Sequence, residues 1–535
     1  MATEASKAIV RMGANYVRLI LSVLMGLAFF RMCLEHGGKD VTALIILLGS
    51  SAGIAAVFID IMNASLVREV GSAWHNPDRD VFASVYNSAI ALCVALIPPT
   101  LVITFVLMLV VPVLDIDSSL IRAAQIYVLT RGIELSLVLL LTCPVRMYQV
   151  KEHFVWANLI ELLRRASQLI AGIIIFLIMK VTDPASALVL FGVISTGLIA
   201  IVLVGFGSAV MVLDRTLVPT RSLVRIGTIK QILASVKWNA GVIFATSIHL
   251  PAAQFVMNLV FGLIGNLAFG FAQVFSAYVL RLTVGTTDGL DAVSVRLSSR
   301  DESGRATQVL FHHATRLQTL VACSAGMMVA VYAQPLMSLW LGKKENAEEA
   351  IPLAAPLTAV IMLGIVSRAI SEGWMRILYG AGYVDRYAKL VMAGAVFSPV
   401  LAVLLSILLP SEPAIIGEYG PNFAGAAAAY AITIFIFQLV LLPRVAARCL
   451  RMRIRDTFKP MVAPLAIVLV ASPILLVARY VLEWTSFLGS VVSCGLYGCA
   501  VCVLFGLFGL SREERHRFTG AMLRRMSRSR GEITQ

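Results

Sequence analysis

The sequence predicts an all-α polytopic membrane protein of about 14 transmembrane helices. They are expected as two pseudo-symmetric six-helix lobes followed by two further C-terminal helices. Three observations carry this. Of 535 residues, 59% are hydrophobic and 14% are charged, with a mean hydropathy of +0.88, whereas a soluble domain carries about 25% charged residues. Fourteen apolar stretches are each long enough to cross a bilayer, which takes about 20 residues. Finally, lysine and arginine concentrate in alternate connections.

Taken in chain order, with Pro, Gly and charge clusters as breaks, the stretches are 14–34, 42–65, 81–113, 122–143, 155–179, 185–212, 238–262, 265–291, 308–333, 351–379, 388–409, 423–443, 461–482 and 486–510. The first follows a polar leader with Lys7 and Arg11 and lacks a cleavage-site pattern. It reads as a membrane helix, not a removed signal peptide. The third is unusually long and contains Pro98 and Pro99. With the amino terminus cytoplasmic, the inner segments hold 30 Lys and Arg residues and the outer segments 7, and every inner segment holds at least two. That asymmetry places both termini inside.

The net charge of +14 divides along the same lines. Inner segments carry +17, outer segments −4 and the membrane stretches +1. The excess is an orientation signal, so nucleic acid is not an expected partner. The basic tail 511–535, with Arg444 to Lys459, is expected to meet anionic lipid headgroups. The eight cysteines form no CxxC pair and read as small hydrophobes. No extramembrane segment exceeds about 30 residues, too little for a soluble catalytic domain or a large outer loop. A glycosyltransferase and a glycan polymerase are thereby excluded, and no catalytic residue or cofactor is expected. A transporter, a channel or a scaffold remains.

Asp60 and Arg68 end the second stretch, and Asp288 and Arg296 end the eighth, at the same spacing; four of nine positions match at an offset of 228. The repeats lie six helices apart and so share one orientation, as in transporters whose substrate site lies between two bundles. The expected organisation is an N-terminal lobe 1–212, a cytoplasmic linker 213–237, a C-terminal lobe 238–449, two additional helices within 450–510 and the tail 511–535.

Four motifs carry a family resemblance: DIMNASLVREVG at 60–71, LMSLWLG at 336–342, YGAG at 379–382 before Lys389, and YGPNFAGAAAAY at 419–430. In order and spacing the chain resembles a polysaccharide flippase of the multidrug/oligosaccharidyl-lipid/polysaccharide exporter superfamily, in the polysaccharide transporter branch related to the lipid II flippase. The resemblance implies two six-helix lobes, a central cavity, alternating access and a lipid-(pyro)phosphate-linked sugar as substrate. It further implies a bacterial inner-membrane location and a part in O-antigen, capsule or exopolysaccharide synthesis, beside a glycan polymerase or glycosyltransferases. Helices 13 and 14 are the expected groove for a polyprenyl tail. The alternatives are an ion-coupled multidrug exporter of the same superfamily, a lipid II flippase and a non-transporting scaffold.

Thirteen charges fall inside the stretches: Arg131, Arg164, Arg165, Arg281, Arg316, Arg368, Arg376, Asp60, Glu134, Glu161, Asp288, Asp291 and Glu372. Each costs at least about 2.5 kcal/mol if left in lipid, so they are expected to face one another or a polar cavity. Pairing one turn apart is available to Arg131 with Glu134, to Glu161 with Arg164 and Arg165, and to Glu372 with Arg368 and Arg376. The competing reading uses chemistry. A guanidinium presents a planar fork of donors that matches phosphate oxygens and keeps its charge. Arg18, Arg131, Arg281, Arg368 and Arg376 are therefore candidates for the anionic headgroup. Asp60, Glu134, Asp288 and Glu372 are candidates for a coupling proton or Na⁺. His249 and Pro251, with Gln254 and Asn258 following, read as a hinge or gate or as a satisfied helix distortion. Adjacent His312 and His313 point to different helix faces, so no metal site is expected.

Overall fold

The computed structural model describes residues 2–287, 289–300, 304–342 and 345–510. Among these residues the only β-feature is one isolated bridge, Ile416 to Tyr419; everything regular is helix. Eleven helical spans are long and apolar enough to cross a membrane. The chain is a multi-pass membrane protein.

Each of the fourteen sequence stretches has a helical counterpart. Helix α1 (Ala2–Met32) runs through a π-helical turn into α2 (Gly38–Trp74), and the two carry the first and second stretches. Helix α6 (Phe154–Gly172) carries Glu161, Arg164 and Arg165 and is too charged to count as a span. Helix α8 (Ile226–Val284) holds the seventh and eighth stretches, separated by a break at Gly262.

The long third stretch stays one span. Helix α3 (Arg79–Ala95) ends at Leu96, and α4 (Ile97–Val110) begins with Pro98 and Pro99 in its first turn. Prolines there forfeit only amides that have no helical acceptor. Asp78 caps α3 by accepting from the Asp80 amide (2.9 Å). Asp183 caps α7 (Pro184–Leu213) by accepting from the Ser186 amide (2.8 Å). The remaining long helices are α5 (Ile121–Val150), α10 (Arg305–Leu341), α11 (Glu345–Gly380), α12 (Val384–Leu408), α15 (Ile454–Tyr480) and α16 (Phe487–Leu504). Three short ones, α9 (Leu290–Arg300), α13 (Gly425–Ile434) and α14 (Leu442–Cys449), lie between them.

Two compact units emerge. One comprises Met1–Val274, Trp340–Leu357 and Ala388–Thr433; the other comprises Phe275–Leu339, Thr358–Tyr387 and Ile434–Gln535. Residues 238–274 and 388–433 therefore cluster with the first six stretches. In the first unit α5 lies against α2, α4 and α7, and α1 lies against α6. Two apolar cores form there. One gathers Phe29, Leu44, Leu48, Tyr127, Phe176 and Phe191; the other gathers Met62, Phe82, Tyr86, Leu139, Met147 and Ile160. In the second unit Leu320 and Tyr332 of α10 pack with Ile467 and Leu475 of α15 and Tyr497 of α16.

Gln254 and Gln273, both on α8, are joined by a 2.6 Å hydrogen bond. On a straight helix they would stand about 28 Å apart, so the chain reverses between them. The reversal is at Gly262, with φ 65° and ψ −158°. An L side chain rarely adopts that backbone, and an added Cβ would lie 2.8 Å from Asp115 Oδ2.

Lys151 ties three helix ends together. Its ammonium donates to Asp214 Oδ2 (2.5 Å), just past α7, and lies 5.0 Å over the Trp74 ring at the end of α2. Burial alone would raise the Asp214 carboxyl, but the Lys151 ammonium and the Thr216 hydroxyl and amide hold it below the usual carboxylate range.

Two outcomes are expected of the detergent-solubilised protein. Gly262→Ala lowers Tm by about 2–4 °C, whereas Gly197→Ala, where a Cβ meets nothing within 4 Å, leaves it unchanged; an unaltered Gly262→Ala would refute the reversal. The Asp214 contribution is complete above the ordinary carboxylate pKa of about 3.9 and is lost as pH falls through the lower folded value. Asp214→Asn should therefore flatten the acid limb of a Tm–pH profile, and a profile identical to wild type would deny the Lys151 pair its role.

Candidate functional site

Charged groups inside the membrane helices collect at a few places. The largest collection lies in the first unit, where α1, α2, α5 and α6 meet. Arg146, near the end of α5, uses all three of its guanidinium nitrogens. Nε donates to Asn63 Oδ1 at 2.8 Å, Nη1 donates to Gln149 Oε1 at 3.0 Å, and Nη2 lies 3.6 Å from Glu161 Oε1. Arg164 Nη1 donates to the other Glu161 oxygen at 3.3 Å. Asp60 stands in the field of Arg146, Arg164 and Glu161, and Arg146 in that of Arg18.

Helical spacing explains the assembly. Asp60 and Asn63 are i,i+3 on α2, and Glu161 and Arg164 are i,i+3 on α6, so each helix turns two polar groups to the same side. Three guanidiniums and two carboxylates leave the cluster one charge positive. Its donors are not exhausted: Arg164 Nε is buried and has no hydrogen-bond acceptor among the described residues. Arg18 is half-buried on α1. A partly desolvated cationic group with free donors suits a phosphate oxygen.

Sequence reasoning named Arg18 and Asp60 as functional and Glu161 with Arg164 as a structural pair; the structure brings all four together. It missed Arg146, which was assigned to the inner loop because Pro144 appeared to end the fourth stretch. Pro144 instead lies inside α5, which continues to Val150. The available signal was Gln149 at i,i+3 from Arg146.

Arg131 and Glu134 form a separate pair. Nη1 of Arg131 donates to Glu134 Oε2; Glu134 is buried and Arg131 half-buried. They occupy the stretch of α5 between Tyr127 of one apolar core and Leu135 of the other. The carboxylate neutralises the guanidinium locally, so this pair bridges two cores and leaves Arg131 Nε without an acceptor among the described residues.

The second unit holds Arg376, whose Nε donates to Glu372 Oε1 at 3.4 Å, both side chains half-buried. Arg368 is half-buried two turns before Arg376, and its carbonyl accepts from Ser371 Oγ at 2.9 Å. Ser371 Oγ also meets Gln438 Oε1 at 2.8 Å. Arg281 is exposed near the end of α8. Asp288 lies outside the described residues.

His249 is fully buried, with its ring edge-on to Tyr430 at 6.2 Å. Pro251 lies within helix, and the change of chain direction is at Gly262. Gln254 and Asn258 are tied down. Gln254 Nε2 donates to Asn266 O at 2.7 Å, and Asn266 Nδ2 donates to Ala43 O at 2.8 Å. Asn258 Oδ1 accepts from the Asp115 amide at 3.1 Å. These amides fasten the two halves of α8 to each other, to α2 and to the turn after α4. Among the described residues no group of three or more His, Cys, Asp or Glu has a geometry to hold a metal.

No protein-family model matches the sequence, and no curated protein matches it. Solved structures do match. One is a lipid II flippase, MurJ, in an inward closed conformation: TM-score 0.58, 14% identity, covering 93% of this chain and 98% of that one. Another is an inward-facing multidrug resistance transporter of the MATE family and MOP superfamily: TM-score 0.58, 13% identity, covering 79% and 95%. A third is a MOP superfamily transporter from Pyrococcus furiosus, described by a binding pocket of reverse polarity: TM-score 0.54, 12% identity, covering 83% and 96%. The chain therefore has the fold shared by the lipid II flippase and the multidrug transporters of that superfamily.

Proposed function

We propose that the protein is a membrane transporter that flips a polyprenyl-(pyro)phosphate-linked oligosaccharide from the cytoplasmic to the outer leaflet for cell-surface polysaccharide assembly. The observation that carries this reading is the net-cationic cluster of Arg18, Arg146 and Arg164 with Asp60 and Glu161 where α1, α2, α5 and α6 meet. A carrier phosphate entering it exchanges water for guanidinium donors. The two carboxylates keep the attraction finite, so the ligand leaves again. Arg131, Arg281, Arg368 and Arg376 are secondary candidates along the path. His249 and Pro251 remain the proposed gate.

The extent of the fold match supports a lipid-linked substrate over a soluble cationic drug. The lipid II flippase matches 93% of the chain, against 79% for the inward-facing multidrug transporter. The two C-terminal helices α15 and α16 pack against α10 and so belong to the bundle. Asp60 is the proposed acceptor of a coupling proton or Na⁺, with Glu134, Glu372 and Asp288 as further candidates. The remaining reading comprises a bacterial inner-membrane location, cytoplasmic termini, and glycan polymerase or glycosyltransferase partners.

Proteoliposomes loaded with a fluorescent polyprenyl-pyrophosphate oligosaccharide test the reading. Arg18→Ala and Arg164→Ala should each slow translocation at least about tenfold, the loss of one charged hydrogen bond, while the protein still inserts and folds. Normal translocation by both would remove the cluster from the substrate path; none by wild type, together with resistance to cationic drugs in cells, would replace the flippase with a drug exporter. Asp60→Asn should abolish acceleration by an imposed proton or Na⁺ gradient while leaving ungraded exchange; a retained gradient response would remove Asp60 from coupling.

A further inference from the structure

The connection between α7 and α8 is more ordered than a linker needs to be. Residues 214–220 and 221–225 form two short 3₁₀ turns and extended backbone, fastened to the middle of α3. Tyr86 Oη donates to Leu217 O at 3.1 Å, the Thr220 amide donates to Asn87 Oδ1 at 2.6 Å, and the Arg225 amide donates to Ser88 Oγ at 3.1 Å. Leu217 is fully buried beneath the strap. The backbone thus spends its hydrogen bonds on α3 and turns its other side chains outward.

Those side chains are of two kinds. Arg215, Arg221, Arg225 and Lys230 are exposed, and among the described residues none has a carboxylate partner. The one acid between 214 and 235, Asp214, is held by Lys151. Interleaved with them, Val218, Leu223 and Ile226 are 49%, 37% and 71% exposed. A solvated charged face would not present these apolar groups, and a core would not present the cations.

Position resolves the combination. The apolar span of α7 ends at Leu213, and the next span begins at Val236. Both ends of the strap are thus fixed at the ends of apolar spans. Cations for headgroup phosphates and aliphatic side chains for the acyl boundary are the two components of interfacial binding. There is no Phe, Tyr or Trp between 214 and 235, so the strap has no platform for stacking nucleic acid bases.

We propose that residues 214–235 form a docking strap for anionic bilayer lipids. Arg215, Arg221, Arg225 and Lys230 take the headgroup phosphates, and Val218, Leu223 and Ile226 enter the acyl boundary. This stands independently of the substrate.

The full-length protein in neutral detergent provides the test, with phosphatidylglycerol titrated against phosphatidylcholine and bound lipid counted by native mass spectrometry. R215Q/R221Q/R225Q/K230Q should bind phosphatidylglycerol at least about tenfold more weakly, with phosphatidylcholine uptake unchanged. V218S/L223S/I226S should also weaken it, and it keeps every charge should the first variant fold poorly. The tail variant R524Q/R525Q/R528Q/R530Q should retain wild-type uptake at the strap. Undiminished phosphatidylglycerol binding in both strap variants would overturn the proposal, as would stronger binding of a soluble single-stranded RNA than of the lipid.

Discussion

A charge inside a membrane helix has to be answered by another polar group of the same protein, because the lipid offers none. Much of this structure follows from that demand. Arg131 is answered by Glu134 on its own helix, Arg376 by Glu372, and Arg146 by Asn63, Gln149 and Glu161 drawn from three helices. The first two are pairs within one helix. The third is shared among helices. A pair within one helix neutralises its charges locally. A cluster across helices fixes their relative register and presents a charge to whatever enters.

Close approach of those helices is secured by glycine and by buried amides, since lipid gives no hydrophobic drive toward helix association. A Cβ on Gly132 would collide with Thr104, and one on Gly192 with Thr130. Gly425 brings α13 so near α12 that a Cβ would stand 2.6 Å from the Leu405 carbonyl carbon. Gly262 does something different: it reverses the chain, and Gln254, Asn266 and Gln273 then close the hairpin by amide hydrogen bonds. Gln254, one turn after Pro251, thus holds the two halves of α8 together.

Outside the membrane stretches the rule changes. Water answers charges there, so the exposed arginines of the 214–235 strap need no internal partner, and its order comes from backbone hydrogen bonds to α3 instead. Lys151 stands at the boundary between the two regimes, half in an ion pair with Asp214 and half over the Trp74 ring. Burial and ion pairing act on Asp214 in opposite directions, and the Lys151 ammonium together with the Thr216 hydroxyl and amide prevails.

The helical segments were legible in the sequence almost entirely, because bilayer thickness sets a length and an apolar content that local composition either meets or fails. Pairing one turn apart was also legible, as Arg131 with Glu134 and Arg376 with Glu372 show, since helical spacing is a local property. What only the tertiary structure decided was which distant residues share a site. Arg146 lies 83 positions from Asn63, and nothing in the spacing of either announces the other. Likewise the break between the seventh and eighth stretches was legible near 262–265, but only the structure shows Gly262 making it, with positive φ. Contacts between helices depend on rotation and register, which are settled by packing across the whole bundle and leave no periodic trace in any one segment.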